Sequence, residues 1–322
     1  MPTPLVSIHC PTYNHEEFIA DCLEGFLSQK TTFPFEVLIH DDASQDATPE
    51  IIKEYAEKYP DIIKPILRKT NLHSVPGHRS IKITNLERAQ GKYVAICDGD
   101  DFWCSPDKLQ KQFELMESHP DYTLCGCGIY YLNHLQKTYT PQGFPLEEWP
   151  IPQEEACKRI FFNCHPFHTP TVFFRIDTFH AIQEVFQRDV HTINAPMGDT
   201  QLFYHLATQG KFGYIRERMA TYRLRASSVS SYDDPAKARL FAQRAIEAHI
   251  RMAANINHPE WAEEYRKQSE AQLNAPSTAS SFSALIKKKL SVMKRFFRGD
   301  YANFRKYLSL SPAERVRMFV QP

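Results

Sequence analysis

The stretch VAICDGDDFW, residues 94–103, runs from small and apolar side chains straight into Asp98, Gly99, Asp100 and Asp101. Carboxylates this close repel one another and resist joint ionisation unless a cation compensates them. Clustered oxygen ligands suit a hard divalent ion, Mg²⁺ or Mn²⁺, which characteristically bridges to substrate phosphates. The plainer reading is a solvated turn ahead of a helix opening at Ser105-Pro106. Two other apolar runs end in polar residues: Pro11, Thr12, Tyr13 and Asn14 after the first, Asp41 and Asp42 after the second. Asp199, in MGDTQLFYHL, precedes the amphipathic Leu202, Phe203 and Leu206. On its own it reads as an acid favoured by a helix N-terminus. Cys164, His165 and His168 form one compact Cys/His group, without a fourth ligand at zinc spacing.

These groups need elements to hold them. Residues 5–10 (LVSIHC), 35–40 (FEVLIH), 63–67, 92–97 (KYVAIC) and 122–132 read as strands. Between them, helices are predicted from Asn14, Thr48, Arg79 and Ser105. Asn14 with Glu17 gives a capping-box pattern, and Thr48 with Pro49 gives a cap with proline at the first helical position. Alternation of this kind implies a mostly parallel sheet with helices on both faces. In such sheets ligands sit at the carboxyl ends of the strands, where the three polar runs fall.

Composition narrows the partners. The hydrophobic and charged fractions, 42% and 24%, are those of a globular protein. Net charge is zero, so the molecule as a whole does not attract nucleic acid. There is neither a GxxxxGK[ST] loop nor a GxGxxG turn, which argues against a P-loop hydrolase and a dinucleotide dehydrogenase. Eight cysteines without CxxC pairing suggest reduced thiols and a cytoplasmic location. The N-terminus lacks the basic region of a signal peptide. The charge is unevenly spread, because residues 282–322 carry ten Lys or Arg against Asp300 and Glu314. In FSALIKKKLSVMKRFFR (282–298), a helix would gather Leu285, Ile286, Leu290, Val292, Met293, Phe296 and Phe297 into an arc of about 160°. Its opposite side is purely cationic, a pattern that suits the surface of an anionic membrane.

The segments VSIHCPTYNHEEFIADCLEGFLSQ, FEVLIHDDASQDAT, AQGKYVAICDGDDFW and GDTQLFYHLATQGKFGYI, in this order, resemble the family-2 inverting glycosyltransferases of GT-A fold. The likeness spans roughly residues 4–231 and implies a GT-A domain over 1–231. A helical extension (232–271), a linker (272–281) and the basic tail (282–322) would follow. It implies a nucleotide-sugar donor, most simply a UDP-sugar, with Pro11, Thr12 and Tyr13 along the nucleotide and Asp42 at the base edge. Asp98 and Asp100 would be the DxD pair, Asp98 toward the ribose and Asp100 toward Mn²⁺ or Mg²⁺ on the diphosphate. Asp199 falls at the catalytic base, and Trp103 where the acceptor pocket begins. His165, His168 and Thr169 border that pocket as candidate contacts to a glycan or lipid-linked acceptor. The implied setting is synthesis of bacterial surface polysaccharide or lipopolysaccharide. Relatives commonly place a histidine where this chain has Arg225, and a guanidinium forks onto phosphate instead of ligating metal. A sugar nucleotidyltransferase and a non-catalytic nucleotide-sugar-binding module on the same fold are the alternatives. The first would want a Gly- and Arg-rich loop that PTYNHEEF does not contain.

Overall fold

The computed structural model describes residues 3–72, 81–133, 138–142, 152–162, 167–193, 198–225, 235–255 and 258–274. Four parallel strands make up its first half: β1 (Val6–Thr12), β2 (Phe35–Asp41), β3 (Ile66–Leu67) and β4 (Tyr93–Ile96). β1 lies between β2 and β4, so strand order reverses at its carboxyl end and a crevice opens there. β4 then pairs antiparallel with β8 (Phe173–Arg175), and β8 likewise with β6 (Tyr122–Asn133). Beyond it, β6 runs parallel to β9 (Lys211–Leu224), whose far edge takes the two-residue β5 (Phe102–Trp103). β7 (Thr138–Gln142) pairs with β6 off the main path. The sheet is therefore mixed, with its parallel half where sequence alternation is clearest.

Alternation along each strand sorts side chains between two cores. Tyr93 and Ala95 pack under α1 (Ile19–Leu27), α2 (Thr48–Lys58) and α4 (Lys108–Ser118) on one face. Val94 and Ile96 face α3 (Ile81–Arg88), α5 (Gln153–Phe161), α6 (Ile176–Ile193) and α7 (Gly198–Thr208) on the other. Met252 of α8 (Pro235–Asn255) and Trp261 of α9 (Pro259–Asn274) join this second core. The expected boundary at 231 falls between β9 and α8, yet the helical extension shares its apolar interior with the sheet. Helix α9 also runs three residues into the expected linker, and residues 275–322 lie outside the described part.

Two local expectations are corrected. Asn14 does not cap α1, which starts at Ile19 with Phe18 before it. β1 continues through Thr12, and Asn14 then turns with φ 52°. Its side-chain oxygen accepts the N–H of Gln45 at 2.8 Å. Nor is Thr48 the cap of α2: it is the first helical residue, and Asp46 accepts its N–H at 3.0 Å. The Thr48 hydroxyl instead accepts the N–H of His15 at 2.8 Å, and Glu16 accepts that of Ala47 at 2.7 Å. In both cases the polar side chain stitches the loop after β1 to the loop after β2, a use that local spacing does not reveal.

Candidate active site

The crevice floor is where β1 and β4 end together. Gly99 N–H donates to Pro11 O at 2.9 Å, and Cys97 N–H to His9 O at 3.1 Å. A Cβ on Gly99 would lie 2.5 Å from Thr12 Oγ1 and 2.8 Å from Thr12 Cβ, so the acidic loop reaches β1 only with glycine there. Thr12 is buried, whereas Tyr13 is 42% exposed at the rim. Asp42 is buried, and both of its oxygens accept the Leu72 N–H, at 3.1 and 3.2 Å. It holds the segment after β3 against the site.

Two arginines at the end of β9 answer the acidic loop. Asp101 is 1% exposed and accepts the Arg223 backbone N–H at 2.8 Å. Burial, then Asp100 and Asp98, raise its pKa well above the usual carboxylate range. The Arg223 guanidinium donates to Asp100 O at 2.8 Å and pairs with Asp21 of α1, which locks three segments together. Arg225 Nη2 lies 2.7 Å from Asp100 Oδ2 and 3.3 Å from His15 Nε2, and its guanidinium lies over the Phe18 ring. His15 Nδ1 is 3.0 Å from Thr12 Oγ1. Burial lowers the His15 pKa, with Asp100 opposing that shift and Arg225 adding to it. A neutral imidazole here accepts from Arg225 at Nε2 and donates from Nδ1 to Thr12.

Asp199 stands in the first turn of α7, half-buried. Its relation to the acidic loop shows at Tyr222. Burial raises the pKa of that phenol first, and then the carboxylates of Asp101, Asp100, Asp98 and Asp199 do so in turn. One phenol thus lies in the field of both the acidic loop and Asp199. On the same side, His168 Nε2 is 2.9 Å from the Tyr131 hydroxyl, and Tyr222 meets Tyr131 edge-on.

Two expected acceptor residues are buried in this structure. Trp103 is fully buried: its indole N–H donates to Pro170 O at 2.9 Å and its ring packs on Phe26. Thr169 is 5% exposed within a 3-10 turn. Trp103 backs the turn that carries His168, because β5 pairing with β9 points it into the core under α1. His165 and Cys164 lie outside the described residues. Sequence reading passed over His15, Asp21, Tyr131, Tyr222 and Arg223. Tyr222 and Arg223 adjoin Arg225 in TYRLR, the one signal that could have found them.

The donor set of Asp98 and Asp100 fits a hard divalent ion in kind, since such ions commonly take one or two carboxylates plus substrate phosphates. Arg225 already engages one oxygen of Asp100. No group of three or more His, Cys, Asp or Glu is arranged to hold a metal among the described residues.

A mixed sheet whose acidic loop lies at the switch point, with helices on both faces and two more at the C-terminal side, is a GT-A fold with a helical extension. The sequence profile described as Glycosyl transferase family 2 matches residues 7–183, and the chain belongs to that family. The uncharacterized protein Rv1520 of Mycobacterium tuberculosis is 48% identical over 236 residues, 72% of this chain and 63% of that protein. The match thus spans less than two thirds of that relative. TuaG of Bacillus subtilis, named as a candidate teichuronic acid biosynthesis glycosyltransferase, is 30% identical over 251 residues, 76% of this chain and 89% of it. S. aureus TarS 1-349 in complex with UDP-GlcNAc is similar in fold, with TM-score 0.60 at 17% identity over 98% of this chain and 83% of that one. The mannosyltransferase PcManGT from Pyrobaculum calidifontis, in complex with GDP-Man and Mn²⁺, gives 0.50 at 17% identity over 99% and 86%. No helix among the described residues is long and apolar enough to cross a membrane.

Proposed function

We propose that this family-2 glycosyltransferase moves one sugar from a nucleoside diphosphate donor, most simply a UDP-sugar, to a hydroxyl of a glycan or lipid-linked acceptor, with inversion. The observation that carries the reading is the acidic loop at the point where strand order reverses, with Asp100 paired to Arg225 and Asp101 accepting the Arg223 N–H. Asp98 and Asp100 face the diphosphate in this reading, while Pro11, Thr12 and Tyr13 line the nucleotide. An acceptor hydroxyl is a poor nucleophile, so Asp199 takes its proton as the oxygen bonds to the anomeric carbon. The bond from that carbon to the diphosphate oxygen breaks on the opposite face, which inverts the centre. The departing diphosphate carries the negative charge away, and Arg225 stands beside it at Asp100 to offset that charge. Asp98 and Asp100 would hold Mn²⁺ or Mg²⁺, which when bound acts as a Lewis acid on the same leaving group. Tyr131 and His168 border the acceptor side.

The biological setting follows the relatives: TuaG is named for teichuronic acid biosynthesis, and synthesis of a bacterial surface polysaccharide is the corresponding role here. The cationic amphipathic stretch 282–298 supports peripheral attachment at the cytoplasmic face of the membrane, where lipid-linked acceptors are found. The test is a panel of UDP-Glc, UDP-GlcNAc, UDP-Gal and GDP-Man, each with a lipid-linked or oligosaccharide acceptor. Nucleotide release is read enzymatically and product configuration by NMR. Release with an inverted product supports the reading. No release from any donor leaves a non-catalytic module on this fold, and a retained configuration removes Asp199 as base.

A further inference from the structure

Arg225 is held in a manner unusual for a surface loop arginine. Its side chain is 15% exposed, and the Asp100 side chain it pairs with is 18% exposed. Nη2 reaches Asp100 Oδ2 at 2.7 Å and His15 Nε2 at 3.3 Å, and the Phe18 ring backs the guanidinium at 5.3 Å. The plane is therefore oriented from three sides before any ligand arrives. Its Nε–H is buried and has no acceptor among the described residues. A guanidinium carries five N–H donors and keeps its charge at any working pH. Arg223 differs, since its terminal nitrogens are committed to Asp21 and Asp100 O in joining α1, the acidic loop and β9.

A doubly charged ion approaching Asp100 meets a cation already bonded to one of its oxygens. Building on the donor reading above, we infer that Arg225 is the resident counter-charge for the donor diphosphate, so that the nucleotide binds without a divalent ion. The ion and the guanidinium then compete for Asp100. A prepositioned planar fork is suited to two phosphate oxygens at once, and its Nε–H, unmatched among the described residues, gains an acceptor. The inference separates two roles usually given to one metal: charge neutralisation in binding, and Lewis acidity in the chemical step.

The experiment is calorimetric titration of the full chain with UDP and with GDP, in EDTA and in excess Mn²⁺. Wild type is expected to bind one of them in EDTA within about threefold of its affinity in Mn²⁺. Arg225→Met is expected to lose about tenfold or more in EDTA and to regain most of it with Mn²⁺. A second readout uses Mn²⁺ alone, followed by the EPR signal of the free ion: Arg225→Met binds Mn²⁺ more tightly than wild type does. If Arg225→Met fails to fold, Arg225→Lys carries the test. It keeps a charge without the fork, and a lower affinity in EDTA at an unchanged melting temperature supports the inference. Binding that needs Mn²⁺ in wild type overturns the inference and leaves the donor reading standing. Unchanged affinity in EDTA for both variants also overturns it. If neither nucleotide binds in either condition, the donor reading fails and the inference fails with it.

Discussion

In the proposed reaction Asp199 and Gly99 each act through a single atom, one present and one missing. Asp199→Asn keeps the size and hydrogen-bonding reach of the side chain but cannot accept a proton. Turnover is expected to fall by ~10²-fold or more while nucleotide affinity stays close to wild type, the usual signature of a general base. Parallel loss of affinity in calorimetry would make Asp199 a structural residue of α7. Gly99 acts through what it lacks. Because a Cβ there would sit 2.5 Å from Thr12 Oγ1, Gly99→Ala must push the acidic loop off β1. Overpacking of this kind costs roughly 1–3 kcal/mol, to be read by urea denaturation. The displaced loop should also bind nucleotide more weakly. An unchanged midpoint and affinity would mean that the loop has room to spare.

At the scale of elements, the strands that end in polar residues were legible and their partners were not. β1, β2, β4 and β6 announce themselves as apolar runs, and the polar residues that follow β1, β2 and β4 mark one edge of the sheet. β5 has only two residues and gains its identity from Thr221 and Ala220, more than a hundred positions away. The burial of Trp103 is hidden in the sequence for the same reason. An aromatic beside three acids reads equally as a ligand platform or as core. Here Phe26 on one side and Lys108 Nζ over the ring at 4.1 Å decide for core. Arg223 reaches Asp21 across 202 positions, a pairing no local pattern encodes. The docking of α8 supplies a pH test. His249 of α8 stacks on Tyr265 of α9 with ring centroids 3.6 Å apart, and burial lowers its pKa to about 4. The unfolded chain therefore takes up this proton first as pH falls below ~6.5. Stability is present above that value and is lost toward pH 4, by up to ~1.4 kcal/mol per pH unit for one histidine. His40, also lowered to about 4 by burial and Arg68, adds to the slope. Urea midpoints between pH 7 and pH 4.5 should fall more gently for His249→Phe than for wild type. Equal slopes would show that His249 does not titrate on unfolding.

For the whole molecule, charge is the feature that separates the tail from the body. Residues 282–322 hold ten of the 38 basic residues and two of the 38 acidic ones, leaving the rest of the chain acidic. A chain ending at Ser281 is expected to stay folded, since both cores lie before that point, and to bind nucleotide as the full chain does. It should no longer sediment with vesicles containing phosphatidylglycerol at low salt. A full chain that ignores such vesicles, or a shortened one that melts earlier, would assign the tail to the globule. The placement of Arg223 has a consequence in time as well as in space. A ribosome delivers Asp21 and the three acidic-loop aspartates well before it delivers β9. Until residue 223 emerges, Asp101 lacks the Arg223 N–H and Asp21 lacks the Arg223 guanidinium. Residues 7–183, which the family profile matches, hold Asp21 and Asp101 but not the Arg223 groups that engage them. Nascent chains halted before β9 should therefore display an open, protease-sensitive loop at 98–101, which tightens only once the last strand slides in.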